Sequence, residues 1–177
     1  SGVHVLAARH TQSVEAQPDP DAIAAVLRRL AASFDFLIVD TPGTFNPQVA
    51  AALDESTAAL LVTSADIASV KDAKMSLQAL QREGFDEDRL KLVVNHATNA
   101  TAVSDTDLSR AVGYEVFWTI PHDRAVPNST QRGEPLVLAQ PRARLSLEVC
   151  ALAAHFGGAP VRTPSSSMFG LFRRRGA

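Results

Sequence analysis

An α/β fold with a doubly wound, mostly parallel sheet and helices on both faces is predicted by three observations. Short apolar runs alternate with amphipathic helical patterns along most of the 177 residues. The run Phe36-Leu37-Ile38-Val39 is continuously apolar, as a strand covered on both faces must be. That run stops at Asp40-Thr41-Pro42-Gly43, so a carboxylate and a turn stand at the strand's carboxyl end, the edge where open α/β sheets take ligands.

Each element has its own local signal. Residues 3–8 read as a strand and residues 9–19 as a polar loop. Pro20 suits the first position of a helix, with Asp19 as its cap, and Ile23, Val26, Leu27 and Leu30 give residues 20–32 one apolar face. Residues 36–39 form the second strand, a short helix covers residues 47–53, and residues 58–63 form the third strand. Ser69-Val70-Lys71-Asp72 has the spacing of a capping box and opens a helix with Val70, Ala73, Leu77 and Leu80 on one face, ended by Gly84. Residues 90–95 are the fourth strand. Ser104 to Asp107 repeats the capping box, Gly113 closes that helix, and residues 116–120 are a fifth strand stopped by Pro121. A last helix near 142–156 aligns Leu145, Val149, Leu152 and Phe156.

Composition narrows the function classes. The length suits one domain with a real core. A net charge of −2 offers no global basic field, so no specific nucleic-acid partner is expected. A lone cysteine, Cys150, excludes an internal disulfide and suits a reducing compartment. No run of about eighteen apolar residues is present, and residues 1–8 carry no cationic leader, so a cytoplasmic body is expected. The five histidines share no zinc-ligand spacing, and no G-x-S-x-G elbow occurs. Cys150 and Trp118 read as packing residues.

The chemistry resides at the strand ends. Asp40 would act as a hard oxygen ligand for Mg²⁺. Gly43 would let a backbone N–H approach a phosphate without an intervening Cβ. The alternative is an ordinary strand and tight turn whose Asp caps backbone amides.

Together these pieces resemble ParA/MinD-type ATPases. The resemblance rests on Phe34 through Gly43, on Leu61-Val62-Thr63 with Asp66, Ser69 and Asp72-Ala73, and on Val93-Val94-Asn95. It extends to Ile120-Pro121-His122-Asp123 followed by Gly133-Glu134-Pro135-Leu136, and covers roughly residues 1–157. Within the family the chain is most similar to the CpaE/TadZ branch, which helps localise Tad-type pilus machinery. The resemblance implies that Asp40 holds the Mg²⁺ shell, that Gly43 senses the γ-phosphate, and that Asn95 hydrogen-bonds the adenine edge. Pro121, His122 and Asp123 would pass beside the base. His96 stands where the family usually has Arg. The intact protein would bind MgATP, form a homodimer across the nucleotide, and act as a switch for positioning or pilus proteins. Alternatively, Asn95 only caps a turn, and the parent is a non-catalytic scaffold of the same fold.

No G-x-x-x-x-G-K-[ST] phosphate loop occurs in these residues. The family carries that loop before the strand matched by residues 3–8. The expectation is therefore a C-terminal portion of a longer protein that holds no catalytic residue of its own and does not hydrolyse ATP alone. Residues 1–158 would be the partial ATPase domain and the Pro/Ser-rich residues 159–167 a flexible linker. Residues 168–177 would be a basic, apolar tail. Met168, Phe169, Leu171 and Phe172 could enter a membrane interface while Arg173, Arg174 and Arg175 meet anionic headgroups, placing the protein peripherally at the inner face of the plasma membrane. The alternative is a solvated basic end.

Overall fold

The computed structural model describes residues 2–7, 18–96, 98 and 103–157. The linker 159–167 and the tail 168–177 lie outside the described residues. The chain divides into two compact units, Ser1–Thr57 and Ala58–Ala177.

The first unit is built on two helices that pack on each other, α1 (Pro20–Ala31) and α2 (Pro47–Asp54). Asp19 caps α1 by accepting from the Asp21 amide, with Pro20 at the first position, as the sequence predicts. Asn46 caps α2 by accepting from Val49 N–H at 2.9 Å. Arg28 of α1 pairs with Glu55 just beyond α2. Among the described residues of this unit, Val49 and Ala52 are the buried ones.

The two strands expected here do not form. Residues 3–7 and 36–39 carry no ladder bonds, and residue 8 lies outside the described residues. A strand is a pairing rather than a conformation. Neither apolar run has a ladder partner among the described residues, and Ile38 is 92% exposed.

The second unit holds a three-stranded sheet ordered β1 (Ala59–Ser64), β2 (Leu90–Asn95), β3 (Val116–Ile120), all parallel. Leu92, Val93 and Val94 are each at most 1% exposed. Successive side chains point to opposite faces, so β2 is covered on both. In β1 burial alternates instead: Leu60 and Val62 are exposed while Thr63 is buried. Helix α3 (Ile67–Arg82) packs on β1 and on α4 (Asp105–Val112), which also meets β3. A 3₁₀ turn, Glu87–Arg89, leads into β2.

Helix α3 starts one turn earlier than its sequence pattern suggests. Asp66, not Ser69, is the cap, and its two carboxylate oxygens accept from Ser69 N–H at 2.9 Å and Ser69 Oγ at 2.7 Å. The Ser104 box forms as expected, with Ser104 Oγ accepting from Asp107 N–H, and Gly113 closes α4 in the left-handed region. Helices α5 (Val126–Arg132) and α6 (Leu136–Ala139) were not anticipated. Helix α7 (Arg144–His155) packs on β3, where Phe117, Trp118, His155 and Phe156 form a ring cluster.

Candidate functional site

In the first unit Asp40 is exposed at the end of the apolar run 36–39. It lines a pocket of about 230 Å³ with Val39, Thr41, Pro42, Gln48 and Val49. The Gln48 side-chain nitrogen donates to the Pro18 carbonyl, and its oxygen is buried without a partner among the described residues. No hydrogen bond engages the Asp40 carboxylate among them either. Gly43 lies in the turn that follows, and a Cβ added there would meet no atom within 4 Å. Packing therefore does not require glycine at this position.

In the second unit the carboxyl ends of β2 and β3 lie side by side, with Asn95 in register with Ile120. Asn95 is half-buried, and among the described residues no hydrogen bond engages its amide, which offers both a donor and an acceptor. Pro121 is buried immediately after β3, and His122 and Asp123 are half-buried. The Asp123 carboxylate is employed internally. One oxygen accepts from Ala125 N–H at 2.9 Å, and the other lies 3.4 Å from the Leu145 amide in the first turn of α7. Asp123 thus fixes the loop after β3 and leaves any ligand contact to the loop backbone.

One cluster was not anticipated. His96 Nε2 lies 3.1 Å from Asp105 Oδ1, and Thr119 Oγ1 donates to Asp105 Oδ2 at 2.7 Å. Sequence reading marked His96 only as a departure from Arg. The Ser104 cap, which sets Asp105 in the first turn of α4, was the signal that could have paired them.

The residues fit the group the resemblance implies. No cluster of three or more His, Cys, Asp or Glu able to hold a metal is found among the described residues. Mg²⁺ rarely uses such a cage. It is ordinarily held by one or two carboxylates, waters and substrate phosphates, a role open to the Asp40 carboxylate.

Comparison with solved structures shows the same fold. A ParA family ATPase from Chlorobium tepidum superposes with a TM-score of 0.72 at 19% identity, covering 78% of this chain and 58% of that one. MinD from Pyrococcus horikoshii, solved in complex with Mg-ADP, gives 0.65 at 20% identity, covering 78% and 56%. The MinC:MinD complex of Aquifex aeolicus gives 0.68 at 20%, covering 82% and 62%. Among curated proteins, the chloroplastic MinD homologue of Arabidopsis thaliana is 31% identical over 124 residues, which are 67% of this chain and 37% of that protein. The septum site-determining protein MinD of Synechocystis is 24% identical over 125 residues, 68% and 46%. The fold is the one seen in ParA and MinD ATPases, and the sequence is similar to that of MinD proteins. The profile described as "Cellulose biosynthesis protein BcsQ" matches residues 3–156, and the chain belongs to that family. It spans less than half the length of these curated relatives.

Proposed function

We propose that this chain supplies the metal-side carboxylate and the base-side edge of a MgATP-dependent positioning switch. The observation that carries this reading is the Asn95 side-chain amide, unpartnered among the described residues, beside Pro121 at the carboxyl edge of the sheet, where ligands of α/β sheets bind. Asp40, unpartnered among the described residues, would hold the metal. The open space at Gly43 suits a backbone amide reached by a phosphate. Bound Mg²⁺ would neutralise phosphate charge; the chain's own part is to orient the base at Asn95 and the metal at Asp40.

The phosphate-binding loop would be supplied by a segment outside these residues, whose strand would pair with residues 36–39. Two facts support this: the run at Ile38, which has no ladder partner among the described residues, and the greater length of the curated relatives. The whole protein would form a homodimer across the nucleotide and present a surface for positioning partners. The motif resemblance favours Tad pilus machinery of the CpaE/TadZ kind as cargo, whereas the family description points to cellulose biosynthesis. A scaffold of the same fold with a degenerate phosphate loop is the alternative.

Calorimetric titration tests the reading. The 177-residue chain should show no tight MgATP site, and the full-length protein should show one. Asp40→Ala in the latter should abolish hydrolysis and leave the fold intact. Micromolar binding to the short chain, or wild-type turnover in the variant, overturns the assignment. The tail 168–177 would add weak, salt-sensitive binding to anionic vesicles. In co-sedimentation this should vanish when the chain ends at Gly158, and equal sedimentation of both chains would make the tail a solvated end.

A further inference from the structure

The ends of β2 and β3 are joined by more than the ladder. His96 N–H donates to the Ile120 carbonyl at 2.9 Å, one residue beyond the end of β2. The His96 ring and the Thr119 hydroxyl then converge on the two oxygens of Asp105. Asp105 sits in the first turn of α4, where the helix dipole favours a carboxylate. One anchored carboxylate therefore holds the residue after Asn95 and the residue two before Pro121. An ionised carboxylate only accepts, so the ring donates from Nε2. The ring's other nitrogen, Nδ1, is buried and has no partner among the described residues.

We propose that His96, Asp105 and Thr119 form a positioning relay that sets Asn95 against Pro121 and so governs affinity for the nucleotide base. None of the three touches the base; they act through the two strand ends. The relay rests on the base-side reading above and specifies which residues tune that site.

The test separates base from phosphate. In the full-length protein, affinity for MgATP and for Mg-tripolyphosphate, which has no base, is measured by calorimetry. Thr119→Val removes the hydroxyl at nearly constant shape and should weaken MgATP about tenfold while leaving tripolyphosphate within about twofold. Thr119→Ser should restore MgATP. In the 177-residue chain, nitrogen NMR should show a proton on His96 Nε2, and the Asn95 amide resonance should shift in Thr119→Val but return in Thr119→Ser. Equal weakening of both ligands, or an unchanged MgATP affinity in a folded Thr119→Val protein, overturns the relay. Equal wild-type affinity for MgATP and tripolyphosphate would instead remove the base-side reading on which it rests, whatever the NMR shows.

Discussion

Asp66 illustrates how much one carboxylate does at an exposed helix start. Its ionised form accepts the Ser69 backbone N–H and then the Ser69 hydroxyl, and these bonds hold its pKa below the ordinary carboxylate value. A folded pKa below the unfolded one contributes stability above the unfolded value and loses it as pH falls towards the folded value. Asp66→Asn keeps an oxygen for the amide but removes the charge. Its melting temperature should therefore fall less than wild type's between about pH 7 and about pH 3. Equal falls would show that the cap is not charge-assisted. Sequence spacing alone favoured Ser69, because both serine and aspartate make good caps and the pattern cannot say which comes first.

At the scale of elements, α4 is held by packing rather than by propensity. Eight residues are too few for a stable isolated helix. Leu108, fully buried, and Val112 anchor it. Leu108→Ala should cost about 2–5 kcal/mol, read as a lower urea midpoint at unchanged slope. A change under about 1 kcal/mol would mean the cavity collapses freely. Elements with a full local signal were legible in the sequence. The runs 90–95 and 116–120 are bounded by turns, and Asp19-Pro20 and Asn46-Pro47 mark helix starts. Helices α5 and α6 were not legible, since α5 has no side-chain cap bond and α6 has only four residues. The strands expected at 3–8 and 36–39 failed for another reason: apolar pattern encodes the wish to be covered, not the presence of a partner. The same limit applied to the site. Asn95 and Pro121 were named from the family resemblance of their motifs, whereas Asp105 and Thr119 became visible only through distances across the fold.

Over the whole molecule, burial is divided unevenly between the two units. Helix α1 is amphipathic yet has no buried residue, and among the described residues of the first unit only Val49 and Ala52 are buried. The second unit encloses Leu92, Val93, Val94, Leu108 and Ser146. Local opening is easiest where few apolar contacts resist it. Amide hydrogen exchange on the 177-residue chain should therefore run fast throughout α1 and slowly at β2. Protection of α1 equal to that of β2 would contradict this division.

The apolar run 36–39 is flanked on both sides by acid, Asp35 before it and Asp40 after it. During synthesis, at about 5–20 residues per second, it leaves the ribosome before any strand of the second unit exists. Flanking charges act as gatekeepers against self-association of such segments. Asp35 and Asp40 therefore give this run a charge at each end that keeps the nascent chain apart from its copies, a role independent of the metal contact proposed for Asp40.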